Sequence, residues 1–118
     1  MAQSVQDIAA ALGAKAFGAV DLLIEGASEP ATATATDLAL AMTPAYCDAL
    51  ALGGAQAAVV WAGADWQALG LKAAIIAPRA RLAMAGLTQM LDRPLPADGI
   101  SPHAAIDPSA RIGRNVRI

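Results

Sequence analysis

Isoleucine returns at every sixth position near the carboxyl end of the sequence, at residues 100, 106, 112 and 118. Helices repeat about every 3.6 residues and strands about every 2, so neither element explains this spacing. A period of six is typical of a parallel β-helix, in which each hexapeptide forms a short strand and a corner and turns its aliphatic residue inward. Turn formers stand between the isoleucines, namely Pro102, Pro108, Gly113 and Asn115. The spacing predicts the start of a β-helix; the alternative is a polar tail with isoleucines at chance spacing.

One repeat cannot bury its own apolar edge, so a stable solenoid needs about three or more stacked units. Three hexapeptides amount to roughly one coil. We therefore expect the chain to be the N-terminal part of a longer protein. Its predicted organisation is an α/β domain over residues 1–91, a proline-rich linker over residues 92–99 and the start of the β-helix over residues 100–118.

Residues 1–91 alternate helical patterns with short apolar runs, which predicts an α/β fold class with a small mixed sheet flanked by helices. Helices are predicted from the Ser4 cap to Gly13, from a Thr43 hydroxyl cap and Pro44 to Gly53, and from Pro78 to about Leu91. In the last helix the residues expected to face inward are Leu82, Leu87, Met90 and Leu91. Strands are predicted over residues 37–40, 57–61 and 73–77, with a strand pair or one bent strand over 15–27 and an exposed loop over 28–36.

The composition excludes several classes of protein. A net charge of −2, with 15% charged residues, argues against a nucleic-acid partner, because phosphate binding needs a strongly basic surface. No run reaches the roughly 18 apolar residues of a membrane-spanning helix, and no signal peptide is visible. A single cysteine, Cys47, excludes an internal disulfide and a cysteine-cluster metal site. We expect a cytoplasmic protein without a transmembrane segment.

The residues offer little acid–base or nucleophilic chemistry. The only histidine, His103, lies inside the repeat without a recognisable serine, cysteine or carboxylate partner. There is no dinucleotide fingerprint and no P-loop, so we predict no catalytic residue, no metal site and no cofactor in this chain. Tyr46, in the first turns of a helix, can stack on a planar ring, although an aromatic residue there is more often part of the core.

Three stretches together resemble a known family. They are DLALAMTPAYCDAL at residues 37–50, PRARLAMAGLTQMLD at 78–92 and ISPHAAIDPSARIGRNVRI at 100–118. Over essentially the whole chain they are similar to the N-terminal part of bacterial UDP-3-O-(3-hydroxyacyl)glucosamine N-acyltransferases of lipid A biosynthesis. The resemblance implies a homotrimer with a left-handed β-helix, which transfers a 3-hydroxyacyl chain from acyl carrier protein to the 2-amine of a UDP-glucosamine.

The resemblance also implies a uridine-binding role for the N-terminal domain. In the family, a DLSFLANPKY-like stretch uses two aromatic residues to sandwich the uracil. Here Tyr46 falls on the second aromatic position, Leu40 replaces the phenylalanine and Thr43 replaces the asparagine. These three are the expected substrate-binding residues, with one aromatic face missing and a hydroxyl in place of an amide.

The family's general-base histidine corresponds to a position beyond residue 118, so the resemblance gives His103 no such role. This chain is expected to have no transferase activity of its own. Two alternatives stay open. One is a structural or oligomerisation module without nucleotide binding, and the other is a parent protein that is another sugar-nucleotide acyltransferase with a different acyl donor.

Overall fold

Five strands form the main sheet of the computed structural model, which describes residues 2–92 and 99–118. The strands lie in the order β2 (Lys15–Gly18), β7 (Ala73–Ile76), β6 (Ala57–Val60), β5 (Asp37–Ala41) and β4 (Gly26–Ser28). Strands β4 to β7 are parallel to their neighbours, and β2 runs antiparallel to β7. A separate two-stranded sheet pairs β1 (Gln3–Ser4) with β3 (Leu23–Ile24). The predicted mixed sheet is confirmed.

Three α-helices accompany the strands: α1 (Val5–Ala11), α2 (Cys47–Leu52) and α3 (Ala80–Leu91). A 3-10 turn, Pro44–Tyr46, leads into α2. Helices α1 and α3 cover one face of the sheet, where Ile8, Ala83 and Leu87 share a core with Leu38 and Ile75. The predicted arrangement of a sheet flanked by helices is also confirmed.

The connections between the parallel strands cover the other face. There Leu50 of α2 and Leu71 share a second core with alanines of the sheet, among them Ala39, Ala58 and Ala74. All four residues of β6 are buried, which explains why the AAVV run shows no alternation of apolar and polar residues. The sequence therefore located β5, β6 and β7 correctly to within one residue at each end.

Helix α1 begins as predicted. The Ser4 hydroxyl oxygen accepts a hydrogen bond from the Asp7 backbone N–H at 3.1 Å, and the hydroxyl donates to Asp7 Oδ2 at 2.7 Å. The buried face carries Val5 and Ile8, and Gly13 follows the helix with φ +63°.

Two details predicted for the later helices are wrong. Thr43 precedes the 3-10 turn but its hydroxyl makes no capping bond, so the chain relies on Pro44 to begin the turn. Leu82 is 64% exposed, because the buried face of α3 runs through Ala83 and Leu87, one position further along.

The segment 15–27 is neither a strand pair nor one bent strand. Its first part, β2, pairs with β7 at one edge of the sheet, whereas β4 pairs with β5 at the opposite edge. The chain turns away from the sheet at Gly18, which ends β2 with φ +84°. A Cβ at this position would clash with the Lys72 carbonyl oxygen, so the turn requires glycine. The intervening β3 pairs with β1 instead.

The loop predicted as exposed at residues 28–36 is partly buried. Pro30 and Ala33 are buried, and Ala33 belongs to the core beneath α2. Asp37 organises the loop, since its Oδ2 accepts hydrogen bonds from the backbone N–H and the hydroxyl of Thr34, each at 2.9 Å. The alternation of Ala and Thr is typical of an exposed loop, so the sequence did not indicate this packing.

Residues 99–118 repeat a turn every six positions, at 102–103, 108–109 and 114–115. The Ser101 N–H donates to the Ile118 carbonyl at 2.7 Å, and the Ile118 N–H donates to the Gly99 carbonyl at 3.0 Å. No strand is assigned among these residues, so the β-helix stays a prediction. Of the predicted linker, only Asp92 and Gly99 lie within the described residues.

Helices of the described part are short. The longest, α3, has 12 residues, and none combines the length and apolar character needed to cross a bilayer.

Gly53, at the end of α2, provides a test of how tightly the connections pack. Its φ of −91° suits any residue, but a Cβ would clash with the Pro30 carbonyl oxygen. Gly53→Ala is expected to lower the free energy of unfolding by about 1–3 kcal/mol. The matched control is Gly54→Ala, whose Cβ would lie 3.5 Å from the Ala33 oxygen and which should change stability by less than about 1 kcal/mol. Equal urea midpoints for the two variants would contradict this packing.

Asp107 provides a test within the repeat segment. Hydrogen bonds from the Ser109 hydroxyl at 2.5 Å and the Ser109 N–H at 2.8 Å hold the pKa of the Asp107 carboxyl below its ordinary value of 3.8. These two hydrogen bonds stabilise the folded chain at pH values above the pKa that Asp107 has in the unfolded chain. The stabilisation is lost as the pH falls through the lower pKa of Asp107 in the folded chain. Ser109→Ala should raise the pKa of Asp107. The pKa is measured by an NMR pH titration of the Asp107 carboxyl carbon. Ser101→Ala, the control, should leave it unchanged; an unaltered titration in Ser109→Ala would refute the assignment.

Candidate functional site

The carboxyl ends of the parallel strands lie together at one edge of the sheet. Residues after β5, β6 and β7 begin at Met42, Trp61 and Ala77, and β2 begins at the same edge because it is antiparallel to β7. In open parallel sheets, ligands bind in the crevice outside these carboxyl ends. The edge is therefore the natural place for a site in this fold.

The three residues expected to bind substrate lie at the end of β5, on two successive segments. Thr43 and Tyr46 belong to one turn, in which the Tyr46 N–H donates to the Thr43 carbonyl at 3.1 Å. Thr43 is exposed and extended, with φ −136°, and its hydroxyl makes no capping bond. Tyr46 is 45% exposed. The turn thus exposes both residues to solvent.

Leu40 is placed differently from the other two. It lies within β5 opposite Val59, and its half-buried side chain packs against the core on the α1 and α3 face. Three residue steps of extended chain place its Cα about 10 Å from that of Thr43. Leu40 thus belongs to the sheet, although it lies close to the turn. That Leu40, Thr43 and Tyr46 together bind one substrate stays a prediction.

The local sequence explains why Tyr46 is exposed. Pro44 starts the turn, and Leu50, 6% exposed, anchors α2 to the core beneath the sheet. Tyr46 precedes Leu50 by four positions, but it belongs to the 3-10 turn and not to α2, so the two side chains do not share one helical stripe. The aromatic residue is therefore left outside the core.

A cavity missed by sequence analysis lies elsewhere on this edge. It has a volume of about 250 Å³ and is lined by Ala14, Lys15, Phe17, Ala62, Ile76 and Pro78, together with Gly13. It lies between the start of β2 and the ends of β6 and β7. The one sequence signal for it was Phe17, an aromatic residue within a short strand that is 41% exposed.

Metal and acid–base chemistry have little support in the part of the chain that the structure describes. No group of three or more histidine, cysteine or carboxylate side chains is arranged to hold a metal ion there. His103 is exposed, and its backbone N–H donates to Ser101 Oγ at 3.2 Å. Cys47 is half-buried at the start of α2. The candidate site is the exposed turn that contains Thr43 and Tyr46, and its role in binding stays a prediction.

Comparison with known proteins finds similar sequences among named enzymes. No family model matches the chain. The UDP-3-O-acylglucosamine N-acyltransferase of Ruegeria pomeroyi is 60% identical over 114 residues, which are 96% of this chain and 31% of that protein. The protein of the same name from Paracoccus denitrificans is 45% identical over 108 residues, 91% of this chain and 29% of that protein. The chain thus spans about a third of the length of the curated relatives it matches.

The different exposure of Tyr46 and Leu50 predicts that substituting them changes the free energy of unfolding by different amounts. Tyr46→Ala should change the free energy of unfolding by no more than about 0.5–1 kcal/mol, because the side chain is nearly half exposed. Leu50→Ala, in the same segment, should cost about 2–5 kcal/mol because it removes a buried side chain. Urea unfolding of both variants tests this. A comparable loss in both would mean that Tyr46 belongs to the core.

Proposed function

We propose that this chain, a homologue of the UDP-3-O-acylglucosamine N-acyltransferases over 96% of its length, is the N-terminal part of such an enzyme and binds the uridine portion of a UDP-sugar. The observation that carries the proposal is the 60% identity to a protein whose name states that substrate. The exposed turn of Thr43 and Tyr46 at the carboxyl edge of a parallel sheet supports the same conclusion.

In this proposal Tyr46 stacks on one face of the uracil, and the Thr43 hydroxyl, which can both donate and accept, bonds to the edge of the base. Leu40 contributes apolar contact at the end of β5. Only one aromatic ring serves the base, so we expect weaker binding than two aromatic residues would give, since a ring pair is worth about 0.5–1.5 kcal/mol beyond its buried area.

We further propose that the whole protein transfers a 3-hydroxyacyl chain from acyl carrier protein to the amine of the UDP-sugar, as a cytoplasmic homotrimer in lipid A biosynthesis. The relatives are about three times as long as this chain, so we assign the catalytic residues to the remainder of the protein. The 118 residues alone are expected to bind nucleotide without turning over substrate.

The β-helix belongs to the same proposal. Its support is the turn that recurs every six residues and the pair of hydrogen bonds linking Ile118 to Gly99 and Ser101. In a parallel β ladder, one residue forms hydrogen bonds to the residues just before and just after the residue opposite it. Ile118 bonds in this way to Gly99 and Ser101, the two neighbours of Ile100. The bridged residues lie 18 positions apart, the length of three hexapeptides. The left-handed sense rests on the family resemblance.

The second candidate function is a structural or oligomerisation module without nucleotide binding. The observation that favours it is Leu40, whose side chain packs against the core where a sandwiching aromatic residue is expected. A third reading, another sugar-nucleotide acyltransferase with a different acyl donor, depends on residues outside this chain.

Titration of the 118-residue chain with UDP, followed by the NMR signals of Tyr46 and the uracil ring, tests the proposal. We expect saturable shifts centred on residues 37–46 and their loss in Tyr46→Ala. Leu40→Phe should tighten binding by about 2- to 10-fold, because it supplies a second ring. Leu23→Phe, at a 61% exposed position in β3, is the control and should leave the affinity unchanged.

Two outcomes would contradict the proposal. A folded chain that shows no shifts at millimolar UDP would favour the structural module. Shifts that persist in Tyr46→Ala would place the base elsewhere on the domain.

A further inference from the structure

The apolar cavity beside β2 is formed by the side chains of two strands that point to the same face. Ala14 and Ala16 pack against the core on the α1 and α3 side, so the alternation of β2 turns Lys15 and Phe17 to the opposite face. Lys15 lies opposite Ile76 of β7, which packs against the core on that face. Ala62 and Pro78 complete the lining from the ends of β6 and β7.

The polarity of this lining decides which chemical groups fit. Lys15 is the only residue of the cavity lining with a polar side chain; the other lining side chains are apolar, or absent in the case of Gly13. A nucleobase placed here would leave its hydrogen-bonding edge without partners, at a cost of about 1–3 kcal/mol for each group. An aliphatic chain has no such edge. The cavity therefore selects hydrocarbon over uracil, which separates it from the Tyr46 surface.

The volume sets an upper limit on the chain length. An apolar cavity of about 150 Å³ is sufficient to bind benzene. At roughly 30 Å³ for a water-sized group, the cavity volume of about 250 Å³ admits about eight methylene groups. This is a fraction of a drug-sized ligand, so the rest of the molecule would lie outside the cavity.

Charge at the cavity mouth favours an anion outside it. Residues 2–92 contain eight acidic residues and only four basic ones. One of the four basic residues, Lys15, lines the cavity, and a second, Arg79, directly follows the lining residue Pro78. In an otherwise acidic domain, the positive charge of Lys15 complements a negatively charged group.

We propose that the cavity binds an aliphatic chain of about eight carbons that is joined to an anionic group, with the chain against Phe17 and Ile76 and the anion near Lys15. Such a ligand has two possible sources. One is a free fatty acid. The other is the acyl substituent of a UDP-sugar, whose diphosphate supplies the charge, and this source alone rests on the proposed function.

A series of linear carboxylates tests the site on the 118-residue chain. Butanoate, hexanoate, octanoate and decanoate, each below its micellar concentration, are titrated while the backbone amide signals of Phe17, Ala62 and Ile76 are followed. Affinity should rise about fourfold for each methylene added and stop rising near eight carbons. Affinity that does not depend on chain length would overturn the proposal.

Two variants separate the cavity from the general surface. Ala62→Phe fills the mouth from an exposed position and should weaken octanoate binding at least tenfold. Phe17→Ala, at a position already 41% exposed, removes one wall and should weaken it as well. Octanoate binding that is unchanged in both variants would refute the site.

A third pair of variants tests the charge. Lys15→Gln should weaken octanoate binding severalfold, while Lys72→Gln should have no effect. Lys72 is exposed and precedes Ala73 at the far end of β7, four residues or about 13 Å from Ile76. Octyltrimethylammonium, which carries the opposite charge, should bind more weakly than octanoate. Equal effects of the two lysine substitutions would remove Lys15 from the site.

The source of the chain is identified with UDP-glucosamine compounds with and without a 3-O-acyl group. If the acylated compound shifts both Tyr46 and Phe17 and competes with octanoate, the cavity receives the acyl group of the nucleotide sugar. If it shifts Tyr46 alone while octanoate still binds, the site serves free fatty acids. Octanoate binding without any response of Tyr46 to UDP would support the cavity and reject the uridine site, so the two proposals fail separately.

Discussion

The parallel pairing of β5, β6 and β7 determines how the remainder of the domain packs. Parallel strands need connections that cross over the sheet, so both faces must be covered and both must be apolar. The two faces meet that demand with different side chains. Leu38, Val59 and Ile75 receive α1 and α3, while alanines such as Ala39 and Ala58 face the irregular connections. Small side chains on the second face leave room for these connections, which also pack closely on one another where Gly53 meets Pro30.

The sequence predicted those elements whose signal is local. Ser4 and Asp7 marked the first helix, and the apolar runs at 57–61 and 73–77 marked two central strands. It did not predict the partner of β2, because pairing with β7 depends on residues far away in the chain. Leu82 was misplaced because an alanine, Ala83, occupies the buried stripe that a larger residue was expected to fill. Residues whose role depends on neighbours distant in sequence cannot be assigned from periodicity.

The same distinction applies to the candidate site. Thr43 and Tyr46 form a local turn, and the sequence places them together correctly. Their proposed ligand comes from the family resemblance and not from their chemistry, since one phenol and one hydroxyl define no particular base. The cavity beside Phe17 had no counterpart in sequence analysis, because its walls come from β2, β7 and the residues after β6 and β7, which meet only in the folded sheet.

The register of the sheet has a consequence for the order of folding. Neighbouring parallel strands pair residues 11 to 19 positions apart, as in Gly26 with Asp37 and Leu38 with Ala57, whereas Lys15 pairs with Ile76 across 61 positions. Short loops close at lower entropic cost, so β4 to β7 can assemble progressively while β2 joins by the most distant contact. The cavity walls are complete only after that contact forms. A ligand bound there would contact both β2, the last strand to join, and β7. Its binding free energy would therefore add to the stability of the whole domain.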